Sequence, residues 1–386
     1  MYKRQDVYSI SPKEVAFYIQ DKMEFDDMVI NVGVRYDQFD PESVYPSDRR
    51  NPANQLILPD SMMSLYPQAP VISQISPRVG FAYQLGGQAV LHFSYGHFFQ
   101  MPPMYAMYEN NSFLVDPNNF VTRMGNTLLE PEKTITYEIG LWQELNQVMA
   151  LDVALFYRDI YNLLTTKTIS TYNQVKYGLY SNKDYGNVRG LELKLDLAMG
   201  QLKGMVNYTL QYTRGNADSP GQTFDRAGNN QDPVNRLIPM GWDQRHTLNG
   251  SLIYGTENYG GSMTAYYNSG SPYTFAPQSE SVLSRINLYP NNDYRPEKYS
   301  VDCSFYYRFK LPGGYNANLD VNIYNLFDRL NEEWVNDQTG RAYTAVIKET
   351  DIAGHRSDFN DYEDRIKNPS MYSSPRMVKI GIGVNF

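Results

Sequence analysis

The sequence predicts an all-β fold: a transmembrane, antiparallel, up-and-down β-barrel that is open or incompletely closed. Three observations predict it. Apolar and polar residues alternate in about thirteen segments, short turns alternate with long loops between these segments, and aromatic residues collect at the segment ends. A two-residue period is typical of a strand with two chemically different faces.

The alternation locates the strands. In residues 28–37, for example, Ile30, Val32 and Val34 share one face, whereas Arg35 and Asp37 lie on the other. Most segments have the length that a tilted membrane strand needs. Their polar face carries too many charged residues to form the dry core of a β-sandwich. The predicted strands are 14–22, 28–37, 77–85, 88–96, 134–143, 148–159, 188–197, 202–213, 244–254, 259–268, 298–309, 315–325 and 376–386.

Loop lengths indicate which end of each strand lies on which side of a membrane. Short turns and long loops alternate along the whole chain, as they do in outer-membrane barrels with periplasmic turns and external loops. The short turns are predicted around 23–27, 86–87, 144–147, 198–201, 255–258 and 310–314. The long loops are predicted at 38–76, 97–133, 160–187, 214–243, 269–297 and 326–375.

Aromatic residues mark both ends of the predicted strands. The chain has 34 tyrosines, against 17 phenylalanines and 3 tryptophans. Aromatic side chains at strand ends suit the two membrane–water interfaces. The predicted membrane-interface anchors are Tyr36, Tyr157, Tyr212, Tyr267, Phe309 and Phe386.

Composition and residue spacing disfavour several classes of function. The net charge of −8 disfavours nucleic acid, whose phosphates require clustered Lys and Arg. The single cysteine cannot form an internal disulfide, and neither a metal-type spacing of Cys and His nor a nucleophile–His–acid arrangement stands out. No enzyme activity, cofactor or metal site is therefore predicted.

Ligand contact is predicted for residues near one long loop and on the charged strand face. The segment "YGHFFQMPPMYAMYENNSF" (95–113) is rich in aromatic residues and methionine, which suits either ligand stacking or packing on the barrel rim. The candidates in this segment are Tyr95, His97, Phe98, Phe99, Tyr105 and Tyr108. The candidates on the charged face are Arg35, Arg78 and Arg158.

Eight stretches resemble the C-terminal barrel of TonB-dependent outer-membrane receptors, especially the large Bacteroidetes-type members. They are "NVGVRYDQFDP" (31–41), "ISPRVGFAY" (75–83), "LHFSYGHFFQMPP" (91–103), "LEPEKTITYEIGL" (129–141), "NVRGLELKLDL" (187–197), "DQRHTLNGSL" (243–252), "NIYNLFD" (322–328) and "VKIGIGVNF" (378–386). They occur in family order over almost the whole chain.

The resemblance implies a portion of a twenty-two-strand barrel that normally surrounds an N-terminal plug. It also implies uptake of a bulky nutrient, energised by the TonB complex, in the outer membrane of a Gram-negative bacterium. Outer-membrane lipid and a surface lipoprotein are the further candidate partners. The Asn- and Tyr-rich loops favour an oligosaccharide or peptide as the ligand. A ferric siderophore stays open as the other ligand class.

The whole chain, 1–386, is expected to be an N-terminally truncated barrel domain. No plug, TonB-contacting segment or signal-peptide h-region is recognisable, and an odd strand count puts the two chain ends on opposite sides of the membrane. The first and last strands should therefore lie at opposite, unpaired edges; the structural alternative is a small closed barrel in which 14–22 pairs with 376–386. Two alternatives stay open: a soluble tyrosine-rich β protein that binds carbohydrate, and an outer-membrane barrel enzyme.

Overall fold

The strands of the chain lie side by side in one large sheet. The computed structural model describes residues 8–55, 58–276, 288–313, 315–344 and 368–385. The strands are β1 (Lys13–Glu24), β2 (Met28–Asp40), β3 (Ile72–Leu85), β4 (Ala89–Gln100), β5 (Arg123–Met124), β6 (Glu132–Asn146), β7 (Met149–Ser170), β8 (Lys176–Met199), β9 (Leu202–Gly215), β10 (Ile238–Pro239), β11 (His246–Gly255), β12 (Tyr259–Asn268), β13 (Pro272–Tyr273), β14 (Asp293–Tyr294), β15 (Lys298–Lys310), β16 (Asn316–Tyr324) and β17 (Met377–Asn385).

Helices are short and lie in the connections. They are α1 (Met104–Tyr108), α2 (Gln222–Gly228) and two 3₁₀ turns at Asp60–Met62 and Pro369–Met371. In the described part of the chain, no helix is both long and apolar enough to cross a bilayer.

The sheet is an antiparallel meander with two unpaired edges. Its main path runs β1-β2-β3-β4-β6-β7-β8-β9-β11-β12-β15-β16-β17, so neighbours in sequence are neighbours in space. The short strand β5 adds to β8 in parallel, and β10 adds to β9. Among the described residues no ladder joins β1 to β17, which confirms the prediction of an open sheet with these two strands at its edges.

The two faces of the sheet differ as the alternation predicts. We refer to the apolar face as the outer face and to the polar face as the inner face. On the outer face large apolar side chains are exposed: Leu155 is 55% and Phe305 is 52% accessible. Such a continuous exposed apolar surface suits contact with lipid rather than with water.

The prediction of a long loop at 160–187 is wrong. Residues 160–187 form most of a long hairpin, because β7 has 22 residues and β8 has 24. At about 3.3 Å per residue these strands are far longer than the ~30 Å of hydrocarbon that a membrane strand has to cross. The register shifts between Ile160 and Leu163 and again at Leu164, which breaks the alternation on which the prediction depended.

The long loops pack around this hairpin and form cores of their own. One cluster joins α1 to strand and loop residues, and its buried members are Phe39, Ala106, Met107, Tyr108, Leu129, Leu164 and Tyr180. A second cluster contains Phe113, Met124, Tyr177 and Leu179. The external side of the sheet thus carries a folded loop layer above the strand ends.

Candidate ligand-contact site on the inner face

Small residues open a recess on the inner face around Arg78. Gly33 on β2 and Gly96 on β4 lie directly opposite Arg78 on β3, one on each side. Thr136 follows in the same row on β6. Because these neighbours carry little or no side chain, a cavity of about 600 Å³ opens over the strands, a size that suits a small-molecule ligand group.

Phe98 forms an aromatic platform beside this arginine. The guanidinium carbon of Arg78 lies 4.6 Å from the centroid of the Phe98 ring, which is a cation–π contact. The ring reaches this position by lying over Gly96. A Cβ atom added at Gly96 would be 3.1 Å from Cε2 of Phe98, so glycine is needed for the ring to lie here.

The two arginines of the recess differ in their pairing. The guanidinium of Arg35 donates to the carboxylate of Asp37 at 2.7 Å, so its charge is compensated. Arg78 has no ion pair with any described residue, and its guanidinium contacts the Phe98 ring. An unpaired guanidinium beside an aromatic ring can bind a carboxylate, phosphate or other anionic group of a ligand.

The third predicted arginine continues the same row. Arg158 on β7 lies opposite Thr136, one strand beyond the recess. Its guanidinium carbon is 4.9 Å from the centroid of Phe156, and no described carboxylate pairs with it. Arg308 on β15 repeats the arrangement over Tyr306 at 4.9 Å. The inner face therefore presents several arginines held on aromatic rings.

Other predicted ligand contacts lie on the outer face. Tyr95, His97 and Phe99 have the parity opposite to Phe98, and Tyr95 pairs with Tyr137 of β6. The hydroxyl of Tyr95 lies 2.6 Å from Nε2 of His97, so the two polar groups satisfy each other. Ligand contact by these three side chains stays a prediction, and their position favours the membrane interface.

The two tyrosines of α1 have different environments. Tyr108 is 2% exposed, and its hydroxyl donates to the carbonyl oxygen of Pro41 at 3.0 Å. Burial raises the pKa of Tyr108 to about 12. Tyr105 is 46% exposed and makes an edge contact with the ring of Tyr180. Tyr108 thus packs the loop against the rim, whereas Tyr105 is accessible to a ligand.

The five predicted anchors that the structure describes share the outer face. Tyr157, Tyr267 and Phe309 are between 38% and 39% exposed there. Tyr36 and Tyr212 are on the same face and are partly buried. Phe386 lies outside the described residues. Anchoring itself stays a prediction for all of them.

The loop layer holds a second cavity that the sequence did not indicate. It measures about 670 Å³ and is lined by Lys167, Lys183, Asp184 and Arg226, among other polar residues. Asp184 is 8% exposed, and burial raises the pKa of its carboxyl group. These residues come from β7, β8 and α2, so only the folded hairpin brings them together.

Comparisons with known proteins come from sequence and from structure. The family model "TonB dependent receptor-like, beta-barrel" matches residues 2–326. No curated protein sequence matches the chain. This chain spans less than half the length of the first solved structures that it matches.

Three of these structures illustrate the fold. The ferric-catecholate import receptor Fiu of E. coli aligns over 97% of this chain and 44% of its own, with 16% identity and a TM-score of 0.53. The FrpB iron transporter of Neisseria meningitidis aligns over 84% and 43%, with 17% identity and a TM-score of 0.53. The outer-membrane transporter YddB of Escherichia coli aligns over 83% and 42%, with 12% identity and a TM-score of 0.58.

Proposed function

Since the chain belongs to the TonB-dependent receptor β-barrel family, we propose that it forms part of the barrel through which a bulky nutrient crosses the outer membrane. The family works with TonB and is found in the outer membrane of Gram-negative bacteria. In such a barrel the inner face described above lines the path of the ligand. We further propose that the complete receptor includes the family's plug and TonB-contacting segment. We also propose that it belongs to the Bacteroidetes-type subgroup.

The ligand that we propose is a hydroxyl-rich or peptidic molecule that carries at least one anionic group. The observation that carries this proposal is the recess in which Arg78, without an ion pair among the described residues, lies against Phe98. Rings of this kind stack on apolar ligand parts and on sugar rings, and the guanidinium supplies a bidentate donor pair. The Asn- and Tyr-rich loops add hydroxyl and amide groups for hydrogen bonding.

A ferric siderophore is the second candidate. Arg78, Arg158 and Arg308 all stand on the inner face with aromatic rings beneath them, which suits an anionic iron chelate as well. The similar structures Fiu and FrpB are described as a ferric-catecholate import receptor and an iron transporter. Their identity to this chain is too low to transfer a ligand. The similar structures reported above are described as receptors and transporters.

Binding to the complete receptor tests the proposal. The probes are an acidic oligosaccharide, a peptide with a free carboxylate and a ferric siderophore, each measured by calorimetry. We expect binding of one of the first two, weakened by Arg78→Gln. Tight binding of the siderophore alone would overturn the preferred ligand class. If Arg78→Gln changes the affinity for none of the three probes, the recess has no role in ligand binding.

A further inference from the structure

A row of outer-face tyrosines at the long-loop end contains one charged residue. Across β4, β6, β7, β8 and β9 the directly opposed residues are Tyr95, Tyr137, Tyr157, Arg189 and Tyr212. The first three rings are packed, with centroids 5.1 Å and 6.4 Å apart. Since tyrosines collect at the level of lipid headgroups, Arg189 lies at that level too.

Two further arginines surround this position. The ring of Tyr212 has the guanidinium carbon of Arg245 4.0 Å from its centroid and that of Arg189 at 5.8 Å. Arg214 follows Tyr212 by two residues on β9 and therefore shares its face. We refer to Arg189, Arg214 and Arg245 as the rim arginines.

Among the rim arginines, only Arg245 has an ion pair with a described acidic residue. Asp243, which is fully buried, pairs with Arg245 at 3.2 Å and also accepts from the Tyr294 hydroxyl. Asp159, on the outer face of β7, accepts from Tyr157, Tyr185 and Asn187. Within the described residues neither Arg189 nor Arg214 has an ion pair.

The surface next to the rim arginines is apolar. Toward the short-turn end, Leu191 and Leu193 continue the outer face of β8, and Leu155, opposite Leu191, is 55% exposed. A molecule that contacts both regions must carry an anionic head and apolar chains. Arginine suits phosphate in particular, because its fork can donate two parallel hydrogen bonds to phosphate oxygens.

We propose that the rim arginines bind the phosphate-bearing headgroup of a lipid in the outer leaflet, with its acyl chains along the leucines of β8. Such a lipid fixes the depth and the rotation of this part of the sheet in the membrane. Each arginine near an anionic membrane surface strengthens binding by about five-fold. The occupant is a membrane lipid rather than a soluble phosphate, because the site faces the bilayer.

Lipid enrichment tests this assignment. The protein is extracted from the membrane in mild detergent and exchanged into mixtures of phosphatidylcholine and phosphatidic acid, and the lipid that remains bound is quantified by mass spectrometry. Wild-type protein should retain phosphatidic acid several-fold above its share of the mixture. Arg189→Gln and Arg214→Gln should each lose most of that enrichment, whereas Arg308→Gln, a matched change on the inner face, should keep it.

Charge-conserving and soluble controls complete the experiment. Arg189→Lys should retain part of the enrichment, because it keeps the charge but cannot donate two parallel hydrogen bonds to phosphate. Folding of every variant is checked by its heat-dependent migration in gels. Wild-type protein without enrichment, or equal enrichment in Arg189→Gln, would overturn the proposal. Displacement of the lipid by inorganic phosphate at equal phosphate concentration would overturn the assignment to a lipid.

Discussion

The guanidinium group of Arg78 lies 4.6 Å from the centroid of the Phe98 ring, between two glycines on neighbouring strands. This pair combines a charge without an ion pair among the described residues with an apolar platform in a recess on the inner face. It is the arrangement from which ligand binding is most directly testable.

Replacing Arg78 by glutamine should weaken ligand binding to the complete receptor by about ten-fold or more, the cost of losing one charge-assisted hydrogen bond pair. Arg50→Gln is the matched control, since Arg50 also lies over an aromatic ring, that of Tyr172, at 4.9 Å but in the loops outside the recess. Calorimetry on both variants measures the effect. Equal affinity of Arg78→Gln and wild type would contradict a role for the recess.

Gly96→Ala should disturb the recess without a change of charge. The new Cβ would lie 3.1 Å from the Phe98 ring, so the ring must shift away from Arg78, and ligand affinity should fall several-fold. Gly80→Ala is the control, because its nearest neighbour, Cβ of Asn31, is at an ordinary 3.7 Å. If both variants bind ligand like wild type, the position of the ring does not matter for binding.

Asp243→Ala should loosen the external ends of β9 and β11. The carboxylate of Asp243 accepts from the backbone N–H of Thr213 at 2.8 Å and from Arg245 at 3.2 Å, and it is fully buried. Removing one partner of a buried pair costs about 3 kcal/mol. Faster hydrogen exchange at the amide of Thr213 reports the loss.

The control for that variant is Asp225→Ala. Asp225 pairs with Arg123 at 2.7 Å, but its side chain is 52% exposed. An exposed pair of this kind contributes about 0.5 kcal/mol or less, so hydrogen exchange near Asp225 should barely change. Similar effects of the two substitutions would show that burial of Asp243 is not what stabilises the strand ends.

Asp184 should make the β7–β8 hairpin depend on pH. Burial raises the pKa of its carboxyl group in the folded protein, so folding favours the protonated form. The hairpin therefore gains stability as pH falls through that raised pKa toward the unfolded value near 4, and loses it as pH rises through the same window. Asp184→Asn should remove this dependence and slow hydrogen exchange in the hairpin at neutral pH. Hydrogen exchange that depends on pH equally in both proteins, after correction for intrinsic rates, would refute the assignment.

The sequence predicts the strands well because the period of two is local. Residues 259–268 are predicted and observed with the same bounds, and the faces of β2, β8, β9 and β15 are as expected. The extension of β7 and β8 could not be predicted in the same way. The bulges at Ile160–Leu164 shift the register, and loops bury both faces beyond them, so Leu164, Thr165 and Thr166 are all buried.

The candidate site was predicted only in part. Arg35, Arg78 and Phe98 are found together, since all three lie on the polar parity of neighbouring strands. Sequence proximity alone groups Phe98 with Tyr95, His97 and Phe99. Because side chains alternate along β4, these three lie on the face opposite to Phe98. The roles of Gly33 and Gly96 depend on register between strands, and a single sequence does not encode that register locally.

The most direct test of the membrane barrel is a cysteine-labelling scan of β9 in the native membrane, after Cys303 has been replaced by serine. We expect cysteines at Val206, Tyr208 and Leu210 to react with a lipophilic probe, and those at Lys203, Asn207 and Gln211 to react with a water-soluble one. Uniform labelling of both sets by the water-soluble probe would contradict a membrane barrel with a wet inner face.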